Sequence, residues 1–363
     1  MDKNRAKAYQ AAHLFLLNSI RTTGGSAAFY SRLLHPVNGW SEAYPETTGY
    51  LIPTLFEAGS SEEALLLADW VVSLQYEDGG LPGGLLKKGE KRERSIFNTA
   101  QMILGLHRAA LETSDRKYID ATVKAGKWLA NTQESDGTWN KYHYKSNYFP
   151  SYYTRVAWPM LLASEFDKSH EITNAAIKTL DFIQENALDN YFFIDAGFKK
   201  NAPAYLHTIA YTIRGFLESA LLLNRSDYWD TGYNLAHHLF RQFELNNRLA
   251  GAYYQDGQRI NWYRCLTGEA QMCIIWLLLA KHNEDYRFLN ASSKLLDKLC
   301  LAQPSLSIFK KKGGLSGSKP FYGRYIAFRQ PNWASKFFMD ALLLEEQLYR
   351  YLESVRATGG TKK

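Results

Sequence analysis

The chain reads as an all-α protein, six helical hairpins closed into an (α/α)6 toroid, and three observations point there. Six segments repeat one plan, an amphipathic helix, a loop rich in Gly and aromatics, then a second and more apolar helix. The hairpins run about fifty to sixty residues, well beyond the roughly 34 of a tetratricopeptide array, which favours a ring over an open solenoid. Thr47, Thr99, Thr154, Thr208 and Thr267 recur at the starts of second helices, 52, 55, 54 and 59 residues apart, with Ser335 as the sixth member.

Taken in order, the hairpins pair 5–21 with 46–57, 62–74 with 97–111, and 118–132 with 153–165. The remaining three pair 171–185 with 206–223, 228–243 with 267–280, and 286–300 with 332–351. In the first helices apolar residues return every three or four positions, as at Leu67, Trp70, Val71 and Leu74, so one face is buried. The second helices are apolar around most of their surface, as in 272–279, and belong in the inner layer of a double ring. Pro45-Glu46 marks a helix entry, and a Thr or Ser near a helix start can satisfy its free N–H groups. Helix starts therefore explain the threonines without any function. No Pro/Gly/Ser linker divides the sequence, so 1–356 is expected to be one domain, with 357–363 a frayed tail.

Composition narrows the function classes. The formal charge is +7, from 43 Lys and Arg against 36 Asp and Glu. Part of this excess sits in short patches (Lys87-Lys88 with Lys91, Arg92 and Arg94; Lys310-Lys311-Lys312; Lys362-Lys363) instead of one stripe, which argues against nucleic acid. An anionic small molecule, a glycan or a membrane surface explains it equally well. Cys265, Cys273 and Cys300 have no paired spacing, and no HExxH or acidic cluster is present, so no metal and no cofactor is expected. No basic-then-apolar leader opens the chain, and stretches such as 272–280 are too short to span a bilayer. The expected location is cytoplasmic, with peripheral membrane or assembly-complex contact left open. Aromatics at 14% are the unusual figure, suited to a concave site for sugars, isoprenoids or peptides and also to an ordinary core.

In a ring the N-termini of the inner helices converge on one face. The residues just before the repeat threonines are Glu46, Asn98, Tyr153 and His207; Tyr50 and Tyr211 follow three later, and Glu269 follows Thr267 by two. These groups are expected to meet in an aromatic-floored funnel, toward which the helix N-termini direct positive charge. His207 and Tyr211, an i, i+4 pair with Arg214 beyond, fit proton transfer next to a uronate carboxylate, or simply fill the ring interior. Glu46 and Glu269 form the best carboxylate pair for glycoside hydrolysis, unless each caps its helix. Tyr44, Arg155, Tyr263, Arg264, Arg324 and Trp333 are candidate substrate contacts, the arginines as clamps for carboxylate or phosphate oxygens. Asp78 and Asp136 sit in Asp-Gly turns, where a turn role outweighs catalysis.

Two turns carry a family likeness. Gln75-Tyr76-Glu77-Asp78-Gly79-Gly80 and Gln133-Glu134-Ser135-Asp136-Gly137-Thr138-Trp139 resemble the QW-type repeats of squalene–hopene cyclases and prenyltransferase β subunits, both built on α/α toroids. The acidic DxDD sequence of the cyclases is missing, and Cys265 lacks identifiable partners for a prenyltransferase zinc set. A broader likeness is to the VpsJ-like polysaccharide-biosynthesis proteins. It is carried by Tyr44-Pro45-Glu46-Thr47-Thr48-Gly49-Tyr50, by Cys265-Leu266-Thr267-Gly268-Glu269-Ala270-Gln271-Met272, and by 313–318 with 331–338. This resemblance implies exopolysaccharide or lipopolysaccharide assembly as a setting. The expectation is a carbohydrate-active enzyme, of uronate lyase/epimerase or glycosidase type, acting on a glycan or lipid-linked oligosaccharide. The alternatives are a non-catalytic glycan-binding or scaffold protein and an isoprenoid cyclase or transferase.

Overall fold

Twelve helices carry the chain once around one axis, alternating between an outer and an inner layer, in a computed structural model that describes residues 1–87, 90, 92–143, 148–304 and 309–357. The outer layer comprises α1 (Lys3–Thr23), α3 (Ser61–Ser73), α5 (Arg116–Asn131), α7 (Glu171–Glu185), α9 (Ser226–Asn246) and α11 (Tyr286–Cys300). The inner layer comprises α2 (Pro45–Glu57), α4 (Ile96–Thr113), α6 (Thr154–Ser164), α8 (Leu206–Leu223), α10 (Leu266–His282) and α12 (Asn332–Ala357). Every expected helix is present within about three residues of its expected ends, except that α12 runs six residues past its expected end at 351. Each inner helix packs on the next, and α12 packs on α2, so the ring closes. Of the expected tail, Ala357 ends α12 and the rest lies outside the described residues. Lys88, Lys91, Lys362 and Lys363 of the basic patches lie outside them as well.

Inner helices approach closely because glycines stand at their crossings. A Cβ on Gly105 in α4 would lie 2.3 Å from the Gly49 carbonyl oxygen of α2, and one on Gly215 in α8 would lie 2.3 Å from Thr154 Oγ1 of α6. Apolar residues from all twelve helices join one continuous buried cluster, as expected where one layer buries its whole circumference and the other buries a stripe.

The repeat threonines act differently from the sequence expectation. Thr48, one residue later than expected, accepts from Ser26 N–H at 2.9 Å, Thr99 from Leu81 N–H at 2.9 Å, and Ser335 from Leu315 N–H at 3.0 Å. Each lies at the fourth position of its inner helix and holds the preceding loop, leaving the helix-start N–H groups to other partners. Thr154 instead bonds across to the Thr212 carbonyl of α8.

The QW-type turns fasten neighbouring outer helices. Gln75 Nε2 donates to Gly79 O and to Ala121 O of α5, and Gln133 Nε2 donates to Ala175 O of α7. Gln303 repeats the device, donating to Gly313 O and to Ala8 O of α1, which ties the last hairpin to the first. Gly313 is required there: its φ is +89° and a Cβ would meet the Ala11 carbonyl at 1.9 Å. Asp78 and Asp136 accept from Gly80 N–H and Thr138 N–H within their own turns, the role the Asp-Gly sequences favour.

Short strands edge the face where the inner helices begin. β1 (Phe29–Tyr30) pairs antiparallel with β7 (Gln330–Pro331), bridging the first and last repeats. β2 (Ala204–Tyr205), β3 (Ala252–Tyr253) and β4 (Arg259–Ile260) form one small sheet, and β5 (Arg264–Cys265) pairs with β6 (Ser318–Lys319). Among the described residues no helix is long and apolar enough to cross a membrane.

Candidate active site

The inner-helix N-termini open onto a cavity of about 580 Å³ at the mouth of the ring. Its aromatic wall is nearly continuous. Tyr44 meets Trp333 edge-on at 6.3 Å, and the Trp333 indole donates to Tyr325 Oη at 2.9 Å. Tyr325 packs on His207 at 5.2 Å, His207 on Tyr211 at 4.3 Å, Tyr211 on Phe97 at 5.8 Å, and Phe97 on Tyr153 at 5.9 Å. Tyr263 completes the wall, while Lys199 and the exposed Arg324 supply positive charge.

Glu46 is the sole acid among the described lining residues. It sits in the first turn of α2, half-buried, and accepts from Tyr44 Oη at 2.5 Å. With the Asn98 amide turned to satisfy both of its ends, Asn98 donates to Glu46 Oε2 at 3.2 Å and accepts from Gly84 N–H at 3.3 Å. Burial lifts the Glu46 pKa from 4.5 to about 7, against the opposing effects of the Tyr44 bond and the Arg155 charge. Burial also holds the Tyr44, Tyr153 and Tyr211 hydroxyls above their ordinary range, so these groups are neutral phenols.

His207 differs from its expected role. Gln271 Nε2, which also faces the His207 and Thr267 carbonyls, lies 2.7 Å from His207 Nδ1, fixing Nδ1 as an acceptor and placing the ring proton on Nε2. Burial, reinforced by the Arg155 charge, pushes the pKa down to about 3. The imidazole is therefore a neutral hydrogen-bond donor.

Five expected site residues, Glu269, Arg264, Arg155, Tyr50 and Arg214, stand outside the cavity. Glu269 is fully buried and held by Arg264, whose Nε and Nη2 reach its two carboxylate oxygens at 2.7 and 2.5 Å. The expected Glu46–Glu269 pair across a substrate does not form, because Arg264 uses both Glu269 oxygens. Arg155 lies beneath the floor, donating from Nε to Gln101 Oε1 at 3.1 Å, with its guanidinium 4.5 Å from the Trp158 ring and 5.1 Å from Tyr211. Tyr50 is buried in a small cluster with Leu104 and Trp158, stacked on Phe337. Arg214, expected to act with His207 and Tyr211, pairs with Glu218 instead.

Tyr44, Glu46, Asn98, Tyr153, His207, Tyr211, Tyr263, Arg324 and Trp333 are brought together as expected. Sequence reasoning missed Phe97, Tyr152, Phe198, Lys199, Tyr205 and Tyr325 as lining residues. For four of them a signal existed: Phe97, Tyr152, Tyr205 and Tyr325 each adjoin a residue or helix start already singled out.

No family model matches the chain, and no curated protein matches it. Among solved structures, an unsaturated glucuronyl hydrolase specific for heparin superposes with a TM-score of 0.71 at 15% identity, covering 96% of this chain and 99% of that one. The chain shares that ring fold. An α-amylase from Clostridium perfringens follows at 0.69 and 14%, covering 93% and 97%. Cellobiose 2-epimerase from Bacillus thermoamylovorans gives 0.66 and 11%, covering 84% and 87%. At such identities the likeness concerns the backbone alone, and the three names describe three different reactions.

Proposed function

We propose that this protein is a carbohydrate-active enzyme in which Glu46 exchanges a proton with a sugar held in the mouth cavity. The observation that carries this reading is the half-buried Glu46, the sole carboxyl group among the described lining residues, facing a cavity walled by aromatic rings, where burial lifts its pKa to about 7. Such a group can serve as acid or base at neutral pH. Tyrosine and tryptophan faces suit the C–H faces of sugar rings, while Asn98 and the tyrosine hydroxyls offer polar contacts.

Because Glu46 is the one acid among the described residues of the wall, the reading favours proton transfer over double displacement between two carboxylates. In a uronate, Glu46 would remove the C5 proton. Expulsion of the C4 substituent with its bonding electrons, its oxygen taking the proton from Glu46, then leaves a C4=C5 double bond, whereas delivery of a proton to the opposite face by a tyrosine hydroxyl of the wall, itself reprotonated from solvent, gives the epimer. Lys199 and Arg324 are placed to offset the sugar carboxylate, and His207 Nε2–H can donate to a substrate oxygen. The sugar-directed names of the structural neighbours support the substrate class. Surface polysaccharide assembly is the proposed setting, on the likeness of segments 44–50, 265–272, 313–318 and 331–338 to the VpsJ-like proteins.

The test is incubation of the native protein and Glu46→Gln in deuterated buffer with uronate-containing, unsaturated-uronyl and neutral oligosaccharides, followed by mass spectrometry and NMR. A new unsaturation or solvent deuterium at C5, lost in the variant, supports the proposal. Hydrolysis of neutral sugars by both proteins would overturn it. Saturable binding of unaltered sugar would assign the cavity to glycan capture.

A further inference from the structure

Beside the cavity, two segments gather the positive charge of the whole chain. Residues 29–41 and 309–331 contain Arg32, Lys310, Lys311, Lys312, Lys319, Arg324 and Arg329, seven cations, and no Asp or Glu. Their sum equals the formal +7 of the full sequence, so the remaining residues balance. None of the seven forms an ion pair among the described residues, although elsewhere cations pair repeatedly.

The same two segments, with the neighbouring 254–263 loop, expose large apolar side chains. Val37 is 91% exposed, Tyr322 61%, Leu33 58%, Trp262 48%, Leu34 45% and Phe328 43%. The parts form one surface. β1 and β7 join the segments, Ser31 Oγ donates to Phe328 O, Phe328 packs on Phe321, and Lys310 lies 4.3 Å from the Phe321 ring. Tyr322 stacks on Trp262 at 6.5 Å, and Arg324 belongs both to this surface and to the cavity wall.

We infer that this surface docks the protein on an anionic lipid bilayer, with the cavity mouth beside the membrane. Exposed aliphatic and aromatic side chains enter the headgroup boundary, while unpaired Lys and Arg meet anionic headgroups. The charge complementarity decides the occupant: a neutral apolar partner would leave the exposed Arg32, Lys312, Lys319 and Arg324 uncompensated at the contact, whereas a bilayer surface supplies both apolar depth and negative charge. Trp262 and Tyr322 have the amphipathic rings that settle at that depth. The inference rests on this surface alone and stands whatever reaction the cavity performs.

The experiment is co-sedimentation of the full-length protein with vesicles of phosphatidylcholine alone and with about one third phosphatidylglycerol, at low and high salt. Two variants, Leu33→Ser/Val37→Ser and Lys312→Ser/Lys319→Ser, alter exposed positions outside the cavity, and circular dichroism melts verify their fold. Expected is salt-sensitive binding to the anionic vesicles, weak binding to phosphatidylcholine alone, and weakening by both variants. Each lysine removed lowers affinity about fivefold. Failure to bind anionic vesicles, or binding untouched by both variants, overturns the inference. Salt-sensitive capture of a soluble acidic polysaccharide without vesicle binding also overturns it, and would reassign the surface to an extended polyanion.

Discussion

Replacing Glu46 by Gln tests this carboxyl group through stability, independently of any substrate. Burial raises its pKa from 4.5 to about 7, so the folded protein holds the Glu46 proton more tightly than the unfolded chain does. The resulting stabilisation is complete below pH 4.5 and disappears as the pH rises through about 7. Between pH 5 and pH 8 the loss has a ceiling of about 2.5 kcal/mol, since cavity water reaches part of the side chain. Glutamine carries no charge at either pH and escapes this loss. In thermal unfolding at both pH values, Glu46→Gln should therefore gain on the native protein toward pH 8, by up to about 3 °C in Tm. An equal difference at the two pH values would refute the raised pKa. A native protein that gained on the variant would mean that Tyr44, Asn98 and Arg155 outweigh desolvation.

Tyr44→Phe removes the hydroxyl that donates to Glu46. A bond to a charged acceptor contributes about 1.5–3 kcal/mol, so the Glu46 midpoint should climb by about one to two pH units, read in the pH dependence of turnover or of unfolding. Glu269→Ala leaves the Arg264 guanidinium without its carboxylate and should cost about 3–5 kcal/mol in denaturant unfolding, with turnover per folded molecule retained. Loss of turnover at unchanged stability would return Glu269 to the chemistry. Gly105→Ala drives a methyl group against the Gly49 carbonyl where α2 crosses α4 and should destabilise by about 1–3 kcal/mol or more; a neutral result would show that the crossing has room.

Much of the site was legible because it lies at the starts of the inner helices. The positions preceding Thr47, Thr99, Thr154 and Thr208 are occupied by Glu46, Asn98, Tyr153 and His207, and all four line the cavity. The rule fails at the fifth repeat, where Leu266 precedes Thr267 and is buried away from the cavity. Glu269 misled for a related reason: near the start of α10 a carboxylate suits the helix terminus and a site equally, and only the bidentate grip of Arg264 distinguishes them. Lys199 and Phe198 were illegible, since they come from a loop whose path is not set by helical period.

The amino-acid sequence alone determined the twelve helices, their division into an exposed-face set and an all-round apolar set, and hence the double-walled ring. These properties depend on periodicity and burial demand, which are local and repeat six times. The tertiary structure decided which polar groups remain free at the mouth. Glu46 keeps an open side, Glu269 is neutralised by Arg264, His207 is fixed as a donor by Gln271, and Arg155 sits below the floor. The last three outcomes each depend on a partner brought into place by the fold, one five residues along the chain and the others more than fifty, and hydrogen-bond geometry of this kind has no signature in helical spacing.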